Sequence, residues 1–149
     1  MSLETRITED MKTAMRSKDK VALETIRAIK SALLLAKTEA GAKESMSEDD
    51  EIKLLSRLKK QRLDSIAIYR AQNRTELAEE EEAQLAIIET YLPKQLSEAE
   101  IIEKVKAIIA QTGAAGMKDM GKVMGMANKE MAGMADGKTI SGIVKQLLG

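Results

Sequence analysis

The sequence contains no cysteine, histidine, phenylalanine or tryptophan, and it has one proline in 149 residues. Without cysteine the chain has no disulfide, no thiolate nucleophile and no thiolate metal ligand. Without histidine as well, it lacks the base of Ser–His and Cys–His catalysis and the usual zinc ligands. We therefore expect no catalytic residues, no metal site and no cofactor, and the chain is not predicted to be an enzyme.

Long apolar runs are also missing. No stretch of 18 apolar residues occurs, and the first residues lack the apolar segment of a secretory signal. The sequence therefore predicts no membrane contact, and with the absence of cysteine it predicts a cytoplasmic location.

The apolar residues that are present favour helix. Aromatic residues make up 1% of the chain, so the core must consist of Leu, Ile, Ala, Val and the ten Met. Such residues suit helices, whereas strands prefer β-branched and aromatic side chains. The predicted fold class is all-α.

A change in composition predicts two domains. Eight of the nine glycines lie at or beyond Gly113, whereas all arginines lie at or before Arg74. We predict an N-terminal domain of four helices over residues 1–93 and a three-helix tail over residues 94–149. Apolar spacing predicts seven helices, over residues 3–17, from Ser17 or Asp19 to about 39, and over residues 47–72, 75–92, 98–112, 118–133 and 139–148. Capping residues are predicted at Ser47, Thr75 and Ser97, and a turn is predicted at residues 41–45.

One glycine-rich segment imitates a phosphate-binding loop. Residues 116–122 have the spacing of glycine and lysine in that motif, but Val123 stands where a serine or threonine must hold magnesium. The motif also has to follow a strand, and the preceding segment has helical periodicity. We predict no nucleotide site here.

The middle helix of the tail has a basic side. At 100° per residue, Lys118, Lys122, Gly125 and Lys129 lie opposite the apolar face. A solvated surface is the plain interpretation. The alternative is a phosphate-binding face, because glycine lets a ligand approach the backbone. Without arginine forks or aromatic platforms, such a face suits the shape of folded RNA rather than base sequence, and DNA is not a predicted partner.

An arginine interrupts the apolar face of the third helix. Arg62 lies between Leu55 and Ile66 on that face, and a guanidinium there needs a partner. Glu81 and Gln84 lie on the inner face of the fourth helix. We predict a structural Arg62–Glu81 ion pair between the two helices, in preference to a catalytic acid–base pair.

Together these segments resemble the GatB/YqeY family in its free-standing, YqeY-like form. The resemblance spans essentially the whole chain and rests on residues 60–66 (KQRLDSI), 74–78 (RTELA), Glu81 before 91–93 (YLP), 119–125 (DMGKVMG) and 133–137 (GMADG). Gln84 departs from an expected glutamate, and Leu63 and Thr75 are milder departures.

The resemblance implies a function. The family's tail is similar to the one that ends the B subunit of tRNA-dependent amidotransferases, and related modules are attached to glutaminyl-tRNA synthetases, where they help to hold tRNA. The first hypothesis is therefore a non-catalytic, tRNA-interacting accessory protein. The second is a protein-binding adaptor for amidotransferase subunits or glutaminyl-tRNA synthetase that does not touch RNA. A third, an amide-transferring enzyme (glutamine-dependent carbon–nitrogen ligase), would need a Ser–Lys nucleophile, and no serine has a recognisable setting for one.

Overall fold

A computed structural model describes residues 2–39 and 46–149. Over these residues the secondary structure consists of seven α-helices and one short 3₁₀ turn, without a strand, which confirms the all-α class. The elements are α1 (Leu3–Ser17), α2 (Lys20–Glu39), α3 (Glu48–Ala71), α4 (Thr75–Glu89), α5 (Glu98–Thr112), the 3₁₀ turn (Met117–Asp119), α6 (Met120–Glu130) and α7 (Gly137–Leu148). The turn predicted at residues 41–45 lies outside the described residues.

The chain forms two compact units, Met1–Leu92 with helices α1–α4 and Pro93–Gly149 with helices α5–α7. Each unit has an aliphatic core of its own. The core of the first unit consists mainly of Leu3, Ile7, Ala14, Ile26, Ile29, Leu33, Leu54, Leu55, Leu58, Ile88, Tyr91 and Leu92. The core of the second unit consists of Ile101, Val105, Ile108, Val123, Ala127, Met131, Ile140, Ile143 and Val144.

Short polar side chains set the start of four helices. In each case a side-chain oxygen accepts a hydrogen bond from an amide of the first turn, which satisfies a donor that has no partner in the helix. These residues are Ser2 for α1, Asp19 for α2, Ser47 for α3 and Ser97 for α5. At α5 the capping box is complete, because the Glu100 side chain accepts a hydrogen bond from the Ser97 amide, and this interaction lowers the pKa of Glu100. Of the two caps considered for α2, Asp19 is the one used.

Several predicted helix boundaries are wrong, and among them α7 begins at Gly137 rather than at residue 139. Thr75 does not cap α4: it is the first helical residue, and the preceding Arg74 makes no side-chain cap. Helix α4 ends at Glu89, because a continued helix would press the ring of Pro93 against the Glu89 carbonyl. Helix α6 is shorter than predicted and ends at Glu130, and the chain then turns at Gly133, whose φ of +74° is left-handed.

Helices α3 and α4 form a long antiparallel hairpin in the first unit. The buried residues of α3 are Leu54, Leu55 and Leu58, all in its first half. From there around the turn to Ile88, only Ala78 is buried. The base of the hairpin therefore packs into the core, whereas the distal part is held mainly by the contact between its own two helices.

Candidate functional site

Helix α6 presents one apolar side to the core of the second unit. Val123, Ala127 and Met131 follow one another at intervals of four residues, and all three are fully buried. This spacing places them on one face of the helix, so burial of that face fixes which residues point to solvent.

The opposite side of α6 and the turn before it carry the four residues that the sequence singled out. Lys118 lies in the 3₁₀ turn before the helix, and Lys122, Gly125 and Lys129 lie on the helix itself; all four are exposed. We call Lys118, Lys122, Lys129 and the exposed Gly121 and Gly125 the lysine face. None of its three lysines makes an ion pair or hydrogen bond with another described residue. The structure thus brings the predicted RNA-binding residues onto one exposed surface.

The acidic residues closest in sequence are engaged elsewhere. Asp119 accepts a hydrogen bond from the Ala115 amide at 3.0 Å, which closes the turn between α5 and α6. Glu130 lies 4.0 Å from the Lys104 ammonium group of α5. Neither carboxylate forms an ion pair with a lysine of the lysine face.

Internal packing does not explain the two glycines of the lysine face. A β-carbon built on Gly121 or on Gly125 meets no atom within 4 Å, and both residues have helical φ values. A glycine inside a helix costs about 1 kcal/mol relative to alanine. The chain carries this cost without a steric reason among the described residues, and the backbone of α6 is uncovered between its lysines.

The segment that imitates a phosphate-binding loop has a different geometry. It follows helix α5 rather than a strand, and Gly116 (φ +148°) leads into the 3₁₀ turn Met117–Asp119. The strand–loop–helix arrangement that such a motif requires is not formed here.

Arg62 meets both candidate partners on α4. Its Nε lies 3.4 Å from Oε2 of Glu81 and donates a hydrogen bond of 2.9 Å to Oε1 of Gln84. The Arg62 and Glu81 side chains are 19% and 23% exposed. Oε2 of Glu81 is itself buried without a hydrogen bond among the described residues. The structure therefore brings the predicted ion pair together, but the shorter contact belongs to Gln84.

A second polar cluster was missed by the sequence analysis. The Tyr91 hydroxyl donates a hydrogen bond to Oδ2 of Asp10, and the Arg6 guanidinium lies 5.0 Å from the centroid of the Tyr91 ring. Arg6 also donates to the Thr90 carbonyl. Burial, followed by the bond to Asp10, raises the pKa of Tyr91 well above its usual range. These contacts attach the end of the first unit to α1. The sequence feature that could have pointed to them is the spacing of four residues between Arg6 and Asp10, which places both on one side of α1.

In residues 2–39 and 46–149, no helix combines the length and apolar character needed to cross a bilayer. No group of three or more acidic side chains is placed there to hold a metal ion.

Comparison with known proteins gives consistent matches. The sequence model of a family described as YqeY-like protein matches residues 4–148. Among curated proteins, the chain is similar to three that are each named "Altered inheritance of mitochondria protein 41, mitochondrial". Identity is 36% with the protein of Meyerozyma guilliermondii (78% of this chain, 62% of the relative), 33% with that of Pyrenophora tritici-repentis (97% and 80%) and 36% with that of Lachancea thermotolerans (69% and 56%). The chain thus spans less than two thirds of the length of the Meyerozyma guilliermondii and Lachancea thermotolerans proteins.

These names contradict the predicted cytoplasmic location, because all three relatives are called mitochondrial. The prediction was wrong because it rested on missing features. The lack of an apolar segment argues only against a secretory signal, whereas mitochondrial addresses are amphipathic and rich in arginine and serine.

Proposed function

Because the chain belongs to the YqeY-like protein family, we propose that it is a non-catalytic accessory protein that contacts tRNA through the lysine face of α6. The observation that carries the proposal is the combination of three lysines that pair with no other described residue and two glycines that no packing contact within the described residues requires.

The chemistry of the lysine face favours the phosphate backbone as its ligand. An ammonium group is a compact charge that attracts phosphates without selecting a base. The second unit has no arginine and no aromatic residue, so it lacks both the forks that recognise guanine and the platforms that stack unpaired bases. A face of this kind suits a folded RNA, which is recognised by shape and backbone.

We also propose that the three helices α5–α7 correspond to the tail that ends the B subunit of tRNA-dependent amidotransferases. In this proposal the four-helix unit before them supports that tail. The chain contributes no catalysis, because it has no histidine and no cysteine to activate a nucleophile or to hold zinc.

Binding to bulk tRNA tests the proposal. The full chain is titrated into labelled tRNA at several salt concentrations, beside a single-stranded RNA of equal length. We expect salt-sensitive binding to tRNA. The double variant Lys122→Ala/Lys129→Ala should bind about tenfold more weakly, and the slope of log K against log salt should fall by about two, because two phosphate contacts are lost.

A second double variant controls for net charge. Lys106 and Lys145 are exposed on α5 and α7 and are not part of the lysine face. Lys106→Ala/Lys145→Ala removes the same charge and should leave affinity and salt slope close to those of the original chain. Equal losses in the two double variants would reduce the effect to general electrostatics and contradict the proposal. No tRNA binding, together with binding to an amidotransferase subunit or to glutaminyl-tRNA synthetase, would favour a protein adaptor instead.

A further inference from the structure

Helix α6 has one neutral polar side chain beside the lysine face. Asn128 is exposed and makes no hydrogen bond with another described residue. Between Gly113 and Lys138 it is also the one uncharged residue whose side chain carries a nitrogen or an oxygen. A neutral hydrogen bond from a side chain of this segment to a ligand therefore has to come from Asn128.

Helix geometry places Asn128 on a line next to the lysines. At 100° per residue, Lys122 and Lys129 lie about 20° apart around the helix axis. A second line, rotated from the first by about 80°, consists of Gly121, Gly125 and Asn128. Residues three apart are neighbours on a helix surface, so the Asn128 amide borders the uncovered backbone at Gly125. Asn128 is the one member of this second line that has a side chain.

The lysines alone do not distinguish RNA from DNA. Both nucleic acids present phosphates, and an ammonium group donates hydrogen bonds to either of them. RNA differs by the ribose 2′-hydroxyl, which is both a donor and an acceptor. A carboxamide matches that group, because its NH2 donates and its oxygen accepts. Asn128 therefore supplies a chemistry that the lysine face lacks.

We propose that Asn128 binds a ribose 2′-hydroxyl and thereby makes the lysine face prefer RNA; this inference rests on the proposed function. In a nucleic-acid strand each ribose is bonded to the phosphates on either side of it. A strand whose phosphates contact Lys122 and Lys129 therefore places riboses next to them. The space over Gly121 and Gly125 is open to these riboses, because no described atom lies within 4 Å of a β-carbon built on either glycine. The Asn128 amide lies at the edge of that space.

The test compares the original chain with Asn128→Ala on three versions of one tRNA transcript. The first version has all its 2′-hydroxyls, the second has 2′-fluoro at every pyrimidine, and the third has 2′-fluoro at every purine. Fluorine keeps the sugar conformation of RNA but cannot donate a hydrogen bond, and the two fluorinated versions together cover every ribose. Alanine is preferred to asparagine inside a helix, so the variant should stay folded, which circular dichroism checks.

The natural transcript should bind Asn128→Ala about fivefold more weakly than the original chain, as expected for the loss of one hydrogen bond. The slope of log K against log salt should not change, because no phosphate contact is lost. On one of the two fluorinated transcripts the original chain and the variant should bind equally, since the hydroxyl that Asn128 contacts is no longer present.

Gln146→Ala is the matched control, because Gln146 is an exposed amide of α7 that is not part of the lysine face. It should bind all three transcripts as the original chain does. Equal affinity of Asn128→Ala and the original chain for the natural transcript would overturn this inference and leave the proposed function intact. A loss of the same size on all three transcripts would overturn it as well, because the hydroxyl would then play no part. Absence of tRNA binding by the original chain would contradict the proposed function, and this inference with it.

Discussion

Replacing Gly125 by alanine should make the protein more stable and make it bind tRNA less well. Gly125 lies in the middle of α6, has a helical φ and has no atom within 4 Å of the position of an added β-carbon. The methyl group therefore meets no obstacle, and alanine is preferred to glycine inside a helix by about 0.8–1.0 kcal/mol. The free energy of unfolding should rise by about that amount.

The effect on binding should have the opposite sign. In the proposed complex an RNA backbone approaches the helix at the glycine, and a methyl group there holds the phosphate away. The methyl group lengthens the contact of that phosphate with the flanking Lys122 or Lys129 ammonium group, and the loss of one such polar contact costs about 1 kcal/mol. At 1.4 kcal/mol per factor of ten, the dissociation constant for tRNA should increase about fivefold.

Urea unfolding followed by far-UV circular dichroism measures the first quantity, since both tyrosines lie in the first unit and the second has no aromatic residue. Fluorescence anisotropy with labelled tRNA measures the second. Gly142→Ala is the matched control. Gly142 is an exposed helical glycine of α7 that also has nothing within 4 Å, so its replacement should stabilise the protein and leave binding unchanged.

Two results would refute the reasoning. A loss of stability in Gly125→Ala would mean that the glycine has a packing role within the protein. An unchanged affinity for tRNA, or an equal loss in Gly142→Ala, would mean that no ligand approaches the helix at Gly125.

Two further predictions concern the first unit. Glu81→Ala should lower the free energy of unfolding by about 1–2 kcal/mol, since it leaves the part-buried Arg62 without its carboxylate; chemical denaturation that showed no change would contradict the pairing. Absorbance titration should show one tyrosine with a pKa well above the ordinary value of about 10. This titration step should remain in Tyr69→Phe and disappear in Tyr91→Phe. Because the folded state holds this proton more tightly, its contribution to stability is complete below the ordinary tyrosine pKa and is lost as pH rises above it. Asp10→Asn should reduce that loss.

The features that could be predicted from the sequence depend on local periodicity and short-range capping. Helices α1, α3 and α5 begin and end within about one residue of the predicted positions, because a serine cap precedes a regular apolar stripe in each. The buried and exposed sides of α6 followed from the same periodicity.

The features that could not be predicted depend on tertiary contacts or on the backbone. A spacing of three residues on α4 does not tell which of Glu81 and Gln84 is closer to Arg62. The contact of Tyr91 with Asp10 joins residues 81 positions apart. The early end of α6 depends on the left-handed conformation of Gly133. The predicted cytoplasmic location was wrong for a different reason, because the absence of a targeting signal does not identify a compartment.

The shallow burial of the distal hairpin has a consequence for local dynamics. With Ala78 alone buried between Leu58 and Ile88, this part of the chain can open without disrupting the core of the first unit. Its amides should therefore exchange with deuterium earlier than those of the helix segments around Ile29 and Leu55.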